Sequence, residues 1–313
     1  MADSTRSIVL RDATLREGLD VPGVSFTVPE RLAIADALAR AGVPEAEVVA
    51  PSRVADDLIV ARQIKSRLPI RVSGLIYANR PNWRREAEAA CEGLDRVDLL
   101  MPLSGRREPY DRREKGARLE EAFGFCRALP LEMGAGFPHS TQADSGFVIE
   151  VAQRAVQSGA RRITIYDTNG SAEPFGVLRL IREIVSAVAV PVFFHAHDDL
   201  GLATANAWAA VEGGAAGLDV TVNGLGDRAG NASLEQVVML LGLRGRPTGV
   251  EPSALKDLSR LVEDLSGVPV SELAPVVGRY VFDHESPAHV EAPAEFEAFD
   301  PDLVGGERSL HDG

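Results

Sequence analysis

Eight times before residue 245, a short apolar run is followed by a stretch with helical spacing. The runs are "SIVLRDAT", "AEVVA", "RVSGLIY", "RVDLLMP", "LEMGAGF", "RITIYDT", "VPVFFHAH" and "GLDVTVNG". Most are continuously apolar, as expected of parallel strands covered on both faces. The stretch after the first run shows what the intervening segments encode. Thr27 can cap a helix, and Glu30 three residues on completes a capping box. Ile34, Leu38 and Ala41 then recur at i, i+4 and i+7, and Gly42 ends the pattern. Eight strand–helix units predict a closed (β/α)8 TIM barrel, whose usual length is ~250 residues. An open doubly wound sheet is the competing arrangement. The turn after the first run lacks the glycine-rich phosphate fingerprint that accompanies it.

The alternation predicts a barrel domain over residues 1–248 and a C-terminal subdomain over 249–313. Within the latter, "EPSALKDLSRLVEDLSGVPVSELAP" reads as one or two helices, and the rest is irregular and rich in Pro, Glu and Asp. Such a tail is either disordered or docked on something larger. The formal net charge of -13 argues against nucleic acid or an anionic membrane as a partner. No run approaches the ~20 apolar residues of a membrane span, and the first residues lack the apolar core of a signal peptide. Cys91 and Cys126 have no CxxC spacing and read as reduced thiols, so a cytoplasmic location is expected.

Chemistry in a barrel of this kind sits at the C-terminal ends of the strands. The first run ends in "TLREG", which places Arg16 and Glu17 at the rim. The seventh ends with His195 and His197, two apart and so on one face of a strand. The eighth leads into "NGLGDRAGN", carrying Asn223, Asp227, Arg228 and Asn231. The first, seventh and eighth strands are neighbours around a closed barrel. Two imidazoles, a carboxylate and a carboxamide oxygen can therefore converge on one cation, a mixed N/O set that suits Zn, Mn, Co or Mg. Taken alone, an H-x-H pair is more often incidental to a strand, and Glu17 would serve equally as a salt-bridge partner of Arg16. The coincidence at adjacent strand ends is what favours a metal.

Three segments in this order, "RDATLREGLDVPGVSF", "HAHDDLGLATANA" and "NGLGDRAGN", closely resemble the DRE-TIM metallolyases. That superfamily includes isopropylmalate, homocitrate and citramalate synthases and hydroxymethylglutaryl-CoA lyase. The resemblance spans nearly the whole chain. It implies that Glu17, His195 and His197 bind one divalent metal, with Asn231 a further ligand and Arg16 the cation beside the reacting carbonyl. The tail resembles the segment that follows the barrel in the synthases, where a His-Glu-Ser-Gly-Ile-His run is typical; here it reads His284-Glu285-Ser286-Pro287-Ala288-His289. The resemblance implies a homodimer with exchanged C-terminal segments, in which His289, with Glu285, supplies acid–base catalysis to the partner subunit. Without it, His289 would read as a solvated side chain on a flexible tail. The lyases carry a catalytic cysteine in the loop after the eighth strand, and the loop from Asn223 to Asn231 has none.

The implied activity is a Claisen-type condensation of an acyl-CoA, most simply acetyl-CoA, with a 2-oxo acid, followed by thioester hydrolysis. Cleavage of a hydroxy acid by the same machinery is the alternative. A non-catalytic relative is the third reading, opposed by the joint presence of Arg16, Glu17, His195, His197 and Asn231. Asp198 and Asp199 could orient the histidines, or one of them could cap the next helix. Several positions depart from the family. Leu19-Asp20 replaces the usual Glu-Gln after "LREG", so Asp20 falls at a substrate position. In "GFPHSTQAD", Gly136 stands where homocitrate synthases carry an arginine for a distal carboxylate, with His139 and Ser140 near the serine and glutamate positions. The resemblance therefore argues against a homocitrate synthase. Thr168 in "YDTNG" is an expected substrate contact, and Arg106 and Arg107 could hold an anionic group or simply form a basic surface loop.

Overall fold

The computed structural model describes residues 7–50, 54–104 and 111–311. Arg106 and Arg107 lie outside these residues. Eight parallel strands close into a barrel in chain order. They are β1 (Val9–Asp12), β2 (Glu45–Val49), β3 (Arg71–Tyr77), β4 (Arg96–Leu100), β5 (Glu132–Phe137), β6 (Ile163–Asp167), β7 (Val192–Ala196) and β8 (Gly217–Val220). Closure is by β1, which pairs with both β2 and β8. The helices between them are α1 (Thr14–Glu17), α2 (Val28–Arg40), α3 (Val54–Arg67), α4 (Trp83–Ala90), α5 (Arg112–Cys126), α6 (Ser145–Ser158), α7 (Pro174–Ala187), α8 (Ala203–Glu212) and α9 (Leu234–Leu243). Helix α2 starts as its sequence dictates. Thr27 N donates to Glu30 Oε2 at 2.7 Å, and Glu30 N donates to Thr27 Oγ1 at 3.4 Å. Ile34, Leu38 and Ala41 are fully buried, and Gly42 follows at φ 84°, a left-handed conformation that favours glycine.

Outside the strands, one apolar core joins Leu10, Val48, Leu99, Ile165, Phe194 and Leu218 to helix residues such as Ile34, Ile64, Phe123 and Ile181. The alternate strand positions differ from the continuous apolar filling that the runs suggested. Arg11, Glu45, Glu47, Asp98, Arg162 and Asp219 are all buried and form an ionic lattice inside the barrel. Arg11 donates to both oxygens of Asp219, at 2.7 and 2.6 Å, and to Asp98 at 2.8 Å, and lies 3.1 Å from Glu47. Arg162 pairs with Glu45 at 3.0 Å and reaches Asp98 at 3.4 Å. Desolvation offsets most of the attraction in such a lattice, so its main effect is geometric: each charge is held by partners it cannot lose cheaply.

After the barrel, α10 (Leu255–Ser266) is amphipathic and packs against α2. Gly267 stops it in the left-handed region, at φ 68°. The tail beyond docks on its own barrel: Phe282 and Val304 belong to the main apolar core, and Phe299 packs against it. Phe282 meets Phe299 edge-on at 5.6 Å, Val304 is fully buried, and a parallel pair joins β9 (Asp283–His284) to β10 (Ser309–Leu310). Glu297 ties these pieces together, accepting from His284 at 3.1 Å and from Arg308 at 2.8 Å. The Pro301–Val304 turn rests on the Pro252–Ala254 turn of the same chain. No helix among the described residues is long and apolar enough to cross a membrane.

Candidate metal centre

The chain leaves β1 directly into α1, which turns Arg16 and Glu17 back over the barrel mouth; both are buried. Two barrel positions away, β7 delivers His195 and His197. Ligand atoms of Glu17, His195 and His197 all lie within 4.8 Å of one another. His195 Nε2 stands 3.3 Å from Glu17 Oε1 and 3.4 Å from His197 Nε2. On its other side, His195 Nδ1 lies 3.1 Å from Asp219 Oδ2. A carboxylate accepts only, so this contact places the ring proton on Nδ1 and turns the Nε2 lone pair toward Glu17 and His197. Two imidazole nitrogens facing each other beside a carboxylate form an electron-rich pocket that a cation satisfies. Asn231 completes the ring: its Nδ2 is 3.1 Å from His195 Nε2, while its Oδ1 is buried without a partner. Turning the carboxamide over would add that oxygen to the donor set. Gly226 makes room for it, since a Cβ there would come within 1.9 Å of Asn231 Oδ1. His197 Nδ1 is likewise buried and unpartnered. The residues present thus fit a divalent ion of the Zn, Mn, Co or Mg class.

The electrostatics agree with a cation site. Burial alone would raise the Glu17 pKa, but the adjoining Arg16 guanidinium, followed by His195, holds the carboxyl well below its usual range. Burial alone would lower that of His195, yet its contacts with Asp219 and Glu17 raise it. His197 is pushed down to about 3 by burial and then by the charge of His195, so its imidazole stays neutral. Arg16 is clamped: Nε donates to Glu47 Oε1 at 2.6 Å, and Nη1 pairs with Glu17. Burial opposes its charge, but the two carboxylates raise its pKa further and make it a permanent cation at the edge of the cluster.

The other expected site residues fall into two groups. Thr168 and His139 sit together at the rim, half-buried, with the His139 amide donating to Thr168 Oγ1 at 2.8 Å. Asp20 is exposed at the end of the turn after α1. Ser140, in contrast, is fully buried, and its hydroxyl is spent on β6, accepting from Tyr166 N at 2.9 Å and donating to Tyr166 O at 3.2 Å. The Asn223 carboxamide braces α10, donating to Ser259 O at 2.9 Å and accepting from Ser259 Oγ at 2.5 Å. Asp198 and Asp199 do not orient the histidines. Asp198 accepts from Ala203 N at 2.7 Å at the start of α8, and Asp199 pairs with Arg228 at 2.8 Å. Arg228 also donates to Thr168 O at 2.8 Å and so fastens the loops after β6, β7 and β8 together. His289 stacks on Phe296 at 3.9 Å and meets His284 edge-on at 5.7 Å, while Glu285 is exposed; the His289 ring contacts lie within the tail.

Three residues escaped the sequence reading. Asp219 sets His195, Glu47 sets Arg16, and the Tyr166 ring lies 4.7 Å from the His195 ring with its hydroxyl buried and unpartnered. The only signal was an acidic residue inside an otherwise apolar run, as in "GLDVTV". Tyr166, Leu75 and Leu100 form a separate apolar cluster. A Cβ at Gly136 would come within 2.3 Å of Leu100 Cδ2 and 3.0 Å of Tyr166 Cε2, so no larger side chain fits there without displacing them.

The chain is similar to known proteins in sequence and in fold. The chain is 36% identical over 319 residues to homocitrate synthase 1 of Nostoc sp., covering 97% of this chain and 82% of that one. It is 33% identical to 2-isopropylmalate synthase of Sulfurisphaera tokodaii, covering 98% and 82%. In fold it matches the crystal structure of the Bacillus subtilis HMG-CoA lyase with a TM-score of 0.74, at 21% identity over 85% of this chain and 95% of that one. The family model described as HMGL-like matches residues 7–262, and this chain, a (β/α)8 barrel with DRE-TIM motifs, belongs to that family.

Proposed function

We propose that the chain is a divalent-metal-dependent synthase that joins the methyl carbon of an acyl-CoA, acetyl-CoA in the simplest case, to the keto carbon of a 2-oxo acid. Water then releases CoA and a 2-hydroxy di- or tricarboxylic acid. The observation that carries this reading is the convergence of Glu17, His195 and His197 ligand atoms within 4.8 Å at the barrel mouth. The synthase names of relatives at 33 and 36% identity support condensation. The metal, once bound, supplies Lewis-acid polarisation of the keto oxygen. The chain's own residues do the rest. Asp219 keeps His195 in the ligating tautomer, and Arg16, immobilised between Glu47 and Glu17, stabilises the alkoxide as it forms, a role on the order of ~3 kcal/mol for one donor. Thr168, His139 and Asp20 line the approach to the substrate. The loop from Asn223 to Asn231 carries no cysteine, which favours synthesis over cleavage.

His289, with Glu285, supplies the acid–base step from the tail of a second subunit in a twofold dimer. The tail's surface supports this: Leu273, Tyr280, Phe296, Leu303 and Leu310 are all exposed large apolar side chains, which a partner barrel would cover. The acceptor has no long carboxylate arm. Where such an arm needs an arginine, Gly136 is hemmed in by Leu100 and Tyr166, so 2-oxoglutarate should be a poor acceptor despite the similarity to a homocitrate synthase. Metal analysis combined with thiol release from acetyl-CoA over a panel of 2-oxo acids tests the whole reading. Expected are about one divalent ion per chain, metal-dependent release with a short or apolar 2-oxo acid, and loss of turnover with retained metal in His289→Ala. No release with any acceptor rejects the synthase assignment; 2-oxoglutarate as the best acceptor rejects the role given to Gly136.

A further inference from the structure

The other end of the barrel, where the strands begin, holds a cavity of about 330 Å3 that the proposed reaction does not use. Four arginines line it, Arg71, Arg96, Arg161 and Arg162, against a single lining carboxylate, Glu45. That carboxylate is oversubscribed: it accepts from Arg162 at 3.0 and 3.1 Å and from Arg96 at 3.2 Å. Glu132, nearby, takes Arg71 at 2.8 Å and also Arg96. Arg161 makes no ion pair among the described residues. Two donors remain unsatisfied: Nε of Arg96 and Nε of Arg162 are buried without a hydrogen-bond partner, on residues only 9% and 1% exposed. A buried donor left unmatched is costly, which is why native structures rarely keep one. Burial, and then repulsion from Arg162, pushes the Arg96 pKa down to about 10. Arg162 also reaches Asp98 at 3.4 Å, a carboxylate it shares with Arg11, so Arg161 is the one lining arginine without an ion pair among the described residues.

The remaining wall is apolar. Val9, Pro44, Pro191, Phe193 and Ala216 form it, and the Arg162 guanidinium lies over the Phe193 ring at 4.5 Å. A cluster of planar, fork-shaped donors facing an apolar wall matches a ligand with a carboxylate at one end and hydrocarbon at the other. Inorganic phosphate would match the charge and leave the apolar wall unused.

We propose that this N-terminal mouth of the barrel is a binding site for a small organic carboxylate with a short apolar body, its carboxylate held among Arg96, Arg161 and Arg162 and its body against Phe193. The proposal is independent of the synthase reading, because it is measured as binding and not as turnover. Calorimetric titration of the full chain with 3-methylbutanoate, inorganic phosphate and 3-methylbutylamine tests it. The carboxylate should bind one per chain, phosphate more weakly, and the amine not at all. Arg161→Ala, a change at an unpaired surface side chain, should weaken the carboxylate by about tenfold or more, ~1.4 kcal/mol. Glu17→Gln, at the opposite end, should leave this binding unchanged. The site is rejected if the carboxylate gives no heat up to ~10 mM, a Kd limit weaker than about -3 kcal/mol of binding. It is equally rejected if the amine or phosphate binds as well as the carboxylate, if Arg161→Ala has no effect, or if Glu17→Gln abolishes binding.

Discussion

At the C-terminal rim, His195 and His197 present bare nitrogens to each other at 3.4 Å, and Asn231 Oδ1 and His197 Nδ1 have no partner. One layer down, Arg11 spends its guanidinium on Asp219, Asp98 and Glu47, all within 3.1 Å. Both regions are polar and sealed from water, yet they differ in saturation. The interior lattice answers each charge with an opposite one, although Arg162 Nε and Glu47 Oε2 keep no hydrogen-bond partner, and its product is rigidity. The rim keeps donor atoms in reserve, and the proposed metal site rests on that reserve. Asp219 joins the two, gripping Arg11 at 2.6 Å and His195 at 3.1 Å, so that the frame sets the direction of the ligand.

The contrast can be broken most sharply with the double variant His195→Ala/His197→Ala. It should lose both its metal, from about one ion per chain to none, and its turnover, while unfolding in urea at nearly the parental midpoint. Full metal occupancy in this variant would remove the rim from the mechanism. The reverse pattern is expected of Asp98→Ala, which takes one buried carboxylate from both Arg11 and Arg162; a buried ion network that loses one partner gives up about 3–5 kcal/mol. If urea unfolding registers less than ~1 kcal/mol, the interior is not the rigid frame described here. Between these lies Asp219→Asn. It keeps the shape but not the charge that fixes the His195 tautomer, and metal affinity should fall about 10–100-fold, read by competition with a chelator. Unchanged affinity would mean that the ring is oriented by packing against Tyr166 alone.

The smallest effect concerns slopes of stability against pH. Asp12, fully buried, is raised to about 7 by burial, which outweighs its bonds to Thr14; the charge of Glu235 adds to the rise. Its folded pKa therefore lies above the unfolded value of ~3.9. Stability from this residue is fully present below about pH 4 and declines as pH rises toward 7, by no more than ~1.4 kcal/mol per pH unit. The interior carboxylates act in the opposite sense. For Glu45 and Asp98, burial is outweighed by Arg162 and its neighbouring arginines, and both are lowered. Their contribution is present above the ordinary carboxylate range and lost as the solution is acidified below it. Urea midpoints between pH 3 and 8 should thus flatten on the neutral side in Asp12→Asn and on the acid side in Asp98→Asn. The same change in both variants would erase the difference between the two regions.

The parts legible in the sequence are those encoded locally. The eight strand–helix units, the Thr27–Glu30 cap and the break at Gly42 each depend on residues a few positions apart, and the structure reproduces them. Glu17, His195 and His197 were legible for a related reason: each lies at or just beyond the C-terminal end of a strand, and a barrel brings those ends together whatever the helices between them contain. The residues that hold these three side chains in place were not. Arg11 and Asp219 are 208 positions apart, and Arg162 and Glu45 are 117 apart. An arginine or aspartate inside an apolar run has no local signature that says which charge it will meet. The β7–β8 register puts His195 beside Asp219, but only closure of the barrel brings Arg11 to the same aspartate, because the pairing of β1 with β8 exists only once the ring is complete.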